Sequence, residues 1–136
     1  MNEAEFFFDT NIVLYLLSAD AAKADRAEEL IALGGIISVQ VLNEFAAVGT
    51  RKLGMSWPEI REVLAQIRAV CPVETLTVDT HARALTLAER HGLSFYDALI
   101  VAAALLAGCK TLYSEDMQHG QVIDRQLTIQ NPFLVD

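Results

Sequence analysis

The chain has 136 residues, room for one domain at the usual ~100–200 residues each, and is 53% hydrophobic and 21% charged with only three prolines. That composition excludes a disordered tail, a collagen-like repeat and a low-complexity linker, and two cysteines, Cys71 and Cys109, supply neither a disulfide framework nor paired zinc spacing. Ten Lys and Arg against 18 Asp and Glu leave a net charge of −8, which repels polyanions at long range, so charge alone does not point to nucleic acid. The cysteines read as buried thiols of a reducing compartment. The longest apolar run, Ala98 to Ala107, falls short of the roughly 17–25 residues that span a bilayer. Glu3 and Glu5 stand where a signal peptide carries positive charge. The expectation is a soluble, cytoplasmic protein with one domain over residues 1–136.

In chain order, Glu5 to Phe8 is a short aromatic strand, ended by the helix-capping run Asp9-Thr10-Asn11. Ile12 to Leu17 is apolar nearly all round and reads as a buried helix. The Ala/Glu-rich segment Ala21–Leu33 reads as a helix stopped by Gly34-Gly35. Ile36-Ile37 is a second strand, and Ser38 caps a helix to about Leu53. Ser56-Trp57-Pro58-Glu59 has capping-box spacing and opens a helix through about Val70. Val73–Thr77 fits a third strand, Asp79 caps a helix ending at Gly92, and Ser94 caps an Ala/Leu-rich helix ending at Gly108. Thr111–Tyr113 and Leu127–Ile129 read as the fourth and fifth strands. Short apolar strands alternating with amphipathic helices predict a three-layer α/β/α fold around a parallel sheet of four to five strands. Ligands of such sheets bind beyond the carboxyl ends of the strands.

Four acids fall near those ends. Asp9 follows the first strand, Glu44 lies in the helix after the second, Asp97 is the only charge between Ser94 and Ala107, and Asp116 follows the fourth strand. Each has an ordinary explanation on its own: a helix cap for Asp9, a solvated helix face for Glu44, a capping box with Ser94 for Asp97, a turn for Asp116. Together they deliver four carboxylates to one sheet edge, with no Lys or Arg within two residues of any of them. Clustered carboxylates repel and take up protons unless a cation neutralises them. The simplest cation is a hard divalent ion with oxygen ligands, Mg²⁺ or Mn²⁺.

Four blocks carry a resemblance: Phe8-Asp9-Thr10-Asn11-Ile12-Val13-Leu14, Ser38-Val39-Gln40-Val41-Leu42-Asn43-Glu44, Ser94-Phe95-Tyr96-Asp97-Ala98-Leu99-Ile100 and Ser114-Glu115-Asp116-Met117. In order and spacing they resemble the PIN-domain nucleases, and among these the small VapC-type toxins of bacterial toxin–antitoxin modules. The resemblance places the acidic quartet on Asp9, Glu44, Asp97 and Asp116, with Thr10, Asn11 and Ser114 as accessory residues and Glu115 as auxiliary. It implies a PIN-like fold and an Mg²⁺- or Mn²⁺-dependent endoribonuclease leaving 5′-phosphate and 3′-hydroxyl ends. It also implies a homodimer inhibited by a cognate antitoxin protein. Asp9 and Asp97 are assigned direct metal contact, with Glu44 and Asp116 completing the shell. Lys23, Arg26, Arg51 and Lys52 are the candidates for contacts to substrate phosphates. A helix carrying Trp57, Ile60, Val63, Leu64 and Ile67 offers apolar surface for the dimer.

His81, His91 and His119 have no zinc-binding spacing, though His119 lies close enough to Asp116 in sequence to reach substrate. No Gly-rich phosphate loop or nucleophile–histidine pair stands out. Two other functions fit parts of the pattern. A haloacid-dehalogenase-like phosphatase also starts with a strand ending in Asp, but wants a second acid where this chain has Asn11. A non-catalytic metal-binding interaction module would not need all four acids.

Overall fold

The computed structural model describes residues 6–134 of the chain; Glu3 and Glu5 lie outside them. Three consecutive aromatic residues form β1 (Phe6–Phe8), and Asp9 caps α1 (Thr10–Leu14), which tightens into a 3₁₀ turn at Tyr15–Leu17. Next come α2 (Ala21–Ile31), β2 (Ile37–Ser38), α3 (Val39–Arg51), α4 (Trp57–Val70), β3 (Val73–Glu74), α5 (Val78–His91) and α6 (Phe95–Leu106). Three strands follow, β4 (Thr111–Tyr113), β5 (Val122–Ile123) and β6 (Leu127–Gln130).

β1 pairs with β4 and β4 with β6, both parallel, and β5 runs antiparallel to β6, giving the order β1-β4-β6-β5. β2 and β3 form a separate parallel pair, tied to β1 where Phe8 N–H donates to Ile36 O at 2.9 Å and Ile36 N–H to Phe6 O at 2.8 Å. Gly35 permits that approach, since a Cβ there would fall 2.7 Å from the Phe8 ring and 3.0 Å from Phe6 O. Successive strand residues face opposite sides of a sheet. Phe7 and Phe8 are both wholly buried, so both faces of β1 are covered, as the expected α/β/α layering requires. The apolar run inside α6 is buried from Ala98 through Leu105 and packs on α5, α3 and β2. Each Leu, Ile or Val removed from water there stabilises the fold by about 1.5–3 kcal/mol.

Several local expectations are corrected. The cap of α5 is Thr77, not Asp79: Thr77 and Thr80 bond reciprocally as a capping box, which shortens β3 to two residues and leaves Asp79 in the first turn. β5 was not expected. It forms a hairpin with β6 through a turn in which Asp124 and Arg125 have φ of 52° and 57°, the positive values that primed hairpin turns need. On α4, Ile60 and Ile67 enter the core, Val63 and Leu64 are half-buried, and of the expected apolar surface only Trp57 remains exposed, at 59%. The two thiols are buried as expected, and burial pushes both up to about 11, which leaves them inert near neutral pH. Among the described residues no helix is long and apolar enough to cross a membrane.

Candidate active site

The parallel register of β1 and β4 builds the centre of the site. Phe8 sits opposite Tyr113, so the residues that follow, Asp9 and Ser114, emerge side by side. Asp9 N–H donates to Tyr113 O at 3.0 Å, and Ser114 Oγ donates to Asp9 Oδ2 at 2.7 Å. As the N-cap of α1, Asp9 also accepts from Thr10 N–H at 2.7 Å, and Asn11 Nδ2 approaches at 3.4 Å. Ser114 Oγ in turn accepts from the N–H groups of Asp116 and Met117, each at 3.2 Å, which shapes the turn that carries Asp116.

α3 adds the second wall. Ser38, at the end of β2, caps it, and one turn in Glu44 accepts from Thr10 Oγ1 at 2.5 Å and from Gln40 Nε2 at 3.0 Å. α6 adds the third acid: Ser94 Oγ accepts from Asp97 N–H at 3.2 Å, placing the carboxylate in the first turn. All four acids line one cleft of about 590 Å³, together with Thr10, Asn11, Gln40, Asn43, Arg51 and Tyr96. Among the described residues none of the four is in an ion pair.

That arrangement carries an electrostatic cost. Asp9 is only 3% exposed, and burial pushes its carboxyl from 3.8 up to about 7, with the Asp97 and Glu44 charges adding to the rise and the Ser114 and Thr10 hydrogen bonds opposing it. Asp97 is raised too, first by burial and then by Glu44 and Asp116, against the Ser94 hydroxyl. The donor set is oxygen throughout, which suits a hard divalent cation. Among the described residues no group of three or more Asp, Glu, His or Cys side chains is tight enough to enclose an ion outright. Mg²⁺ keeps several waters and needs only about one or two carboxylates, so donors spread around an open cleft fit it.

Glu115 leaves the cleft. Its carboxylate accepts from the Tyr15 hydroxyl and from Lys23 Nζ at 3.0 Å, and these two partners hold it below the usual carboxylate range, Tyr15 foremost. Lys23 Nζ also lies over the Tyr15 ring, 4.5 Å from its centroid, and 5.6 Å from that of Phe133. Glu115 N–H donates to Asn11 Oδ1 at 3.3 Å, which turns the Asn11 amide nitrogen toward Asp9. Replacing Lys23 with Met is expected to lower stability only slightly, as loss of a partly exposed, solvent-screened pair does. Urea unfolding would read this as a lower midpoint at unchanged slope.

Of the four basic candidates, only Arg51 lines the cleft. Lys23 is engaged by Glu115, Arg26 bonds Pro132 O at 3.1 Å and Glu29 at 3.3 Å, and Lys52 is exposed at the C-terminal end of α3. His119 accepts from Asn131 N–H at 3.0 Å and is not among the cleft residues. Asn43 and Tyr96 were not singled out from the sequence; each adjoins an acid of the quartet, and that adjacency was the available signal.

The PIN domain family profile matches residues 6–123. Among solved structures, a toxin–antitoxin complex from Klebsiella pneumoniae aligns with TM-score 0.72 at 18% identity, covering 98% of this chain and 100% of that one. VapBC2 from Rickettsia felis, solved with a DNA fragment of its promoter, aligns with TM-score 0.64 at 18% identity over 93% and 98% of the two chains. VapC20 from Mycobacterium tuberculosis, described as a sarcin–ricin-loop-cleaving toxin, aligns with TM-score 0.61 at 25% identity over 82% and 89%. No curated protein sequence matches significantly. With the profile spanning β1 through β5 and every block of the acidic cleft, the chain belongs to the PIN-domain family.

Proposed function

We propose that the protein is a divalent-metal-dependent endoribonuclease, the VapC-type toxin of a toxin–antitoxin module. The observation that carries this reading is four carboxylates lining one cleft with, among the described residues, no basic side chain paired to any of them. The likeness to a toxin described as cutting the sarcin–ricin loop supports RNA as the substrate. Single-stranded loops of structured RNA suit it, because their backbone and unstacked bases are accessible.

Asp9 and Asp97 would hold Mg²⁺ or Mn²⁺, with Glu44 and Asp116 completing the shell through water. When bound, the ion supplies an acidified water and stabilises the charge that develops on phosphate and leaving oxygens. The chain's own part is orientation. Ser114, Thr10 N–H and Asn11 hold the Asp9 carboxylate, while Thr10 Oγ1 and Gln40 hold that of Glu44. Each carboxylate oxygen has two lone pairs, so Glu44 retains acceptor capacity toward the cleft and its attacking water. Arg51 would meet a substrate phosphate, a role supported by its position in the cleft lining. Asn11, an amide that serves Asp9, cannot act as the acid a dehalogenase-type phosphatase needs.

A cognate antitoxin belongs to the same proposal, supported by the toxin–antitoxin complexes of the same fold, and a homodimer belongs to it through the VapC-type resemblance alone. An antitoxin Arg can satisfy two carboxylate oxygens at once, which makes the unpaired acids a natural target for inhibition. The test of function is incubation with a structured RNA in Mg²⁺ and in EDTA. The expected result is Mg²⁺-dependent internal cleavage leaving 5′-phosphate and 3′-hydroxyl ends. Intact RNA under both conditions, or equal cleavage in EDTA, would contradict it.

A further inference from the structure

Beyond the carboxylates and their supports, the cleft lining includes an aromatic ring, Tyr96, and a guanidinium, Arg51. Tyr96 precedes Asp97 in the first turn of α6, lines the cleft and is 60% exposed, whereas Phe95 and Asp97 on either side are half-buried. Its hydroxyl has no hydrogen-bond partner among the described residues. The ring is supported from one side: the Phe95 centroid lies 5.9 Å away at 58°, and His81 packs edge-on against Phe95 at 5.4 Å. An aromatic ring left in water forgoes the gain of burial, so a supported, exposed ring beside a catalytic acid is a contact surface awaiting an apolar face. On α3, Arg51 is the only Lys or Arg among the described residues that lines the cleft. Its Nε donates to Ala47 O at 3.3 Å, and its guanidinium makes no ion pair among the described residues.

We propose that Tyr96 is a stacking platform for one unpaired nucleobase of the RNA, working with Arg51, which takes a backbone phosphate. The proposal rests on the ribonuclease reading above and adds to it the feature of substrate that the cleft recognises. At a net charge of −8 the protein cannot gather RNA by long-range attraction. One phosphate contact contributes a salt slope of only about 0.7 on a single strand. Arg51 and a bound ion would hold the scissile phosphate, and uncharged contact adds to them, since every base has a π-face that an aromatic ring can stack on. A base held in a duplex is already stacked on its neighbours, so the platform favours loops and selects little among sequences.

The test uses the full chain and a fluorescein-labelled RNA hairpin with a uridine loop, alongside the same hairpin with an abasic loop. Binding is read by anisotropy in Ca²⁺ and cleavage in Mg²⁺. Tyr96→Ala is expected to weaken binding to the uridine hairpin about five- to a hundredfold, while Tyr96→Phe, which keeps the ring, stays within about twofold. The Tyr96→Ala penalty should vanish on the abasic loop, and Arg51→Gln should lower the salt slope by about 0.7 on both hairpins. If Tyr96→Ala binds as wild type does while wild type cleaves, the platform is wrong and the ribonuclease reading stands. A penalty that persists on the abasic loop, or that Tyr96→Phe shares, also overturns stacking. If wild type neither binds nor cleaves either hairpin, both readings fall.

Discussion

Asp9→Asn and Asp97→Asn are each expected to lower RNA cleavage by at least about a thousandfold while leaving the protein folded. A bound divalent ion contributes several kcal/mol to stabilising the reacting charges, and ~1.4 kcal/mol is a factor of ten in rate. Among the described residues neither acid has a basic partner whose pairing would be lost. Asn caps a helix as well as Asp does, so α1 keeps its cap when Asp9 is replaced. The Ser114 hydroxyl can rotate to suit an amide. Circular dichroism and melting would establish the fold, and gel analysis of a cleaved RNA the rate. An unfolded variant would make the acid structural, and an active one would remove it from the chemistry.

The second large effect is on stability. Without divalent cations the wild type should lose stability as pH rises from about 4 to about 8 relative to Asp9→Asn. Asp9 has an ordinary value of 3.8 when unfolded and about 7 when folded. Between those values the unfolded chain has released a proton that the folded chain retains, so each rise in pH favours unfolding; above about 7 both states are ionised and the loss is complete. At ~1.4 kcal/mol per pKa unit the penalty has an upper limit of about 4 kcal/mol, and Asp97, also raised, acts with the same sign. Glu115 and Glu59 are lowered and act oppositely, lending stability that is lost as pH falls below their ordinary value of 4.5. Both are present in wild type and variant, so the difference between the two proteins reports Asp9 together with its repulsion of Asp97. Urea unfolding of both in EDTA across this range measures it. Parallel curves would mean that the buried carboxyl is not raised.

Much of the site was legible because its logic is local. A strand of three Phe residues ending in Asp-Thr-Asn, and another ending in Ser-Glu-Asp, each say where a carboxylate leaves the sheet; parallel pairing then sets Asp9 beside Ser114. What stayed hidden depends on partners distant in sequence. Nothing near Glu115 announces that Tyr15 and Lys23, about a hundred residues upstream, draw it out of the cleft and leave Asp116 in it. The same pairing removes Lys23 from the substrate candidates, and Pro132 and Glu29 engage Arg26. β5 escaped because its turn is made by Asp124 and Arg125 in the left-handed region, where an Asn-Gly signal would be looked for. Asp79 lost the cap of α5 to Thr77 because Thr80 closes a box that a Glu usually announces.

The claim that these acids form one metal site is tested most directly by titrating Mn²⁺ against wild type and Asp97→Asn and following thermal unfolding. Ligand at a hundred times its dissociation constant stabilises the folded state by about 2.7 kcal/mol. The wild type should melt several degrees higher as Mn²⁺ saturates, and Asp97→Asn should show little or none of that rise. Equal stabilisation of both proteins would place the ion elsewhere and contradict the account.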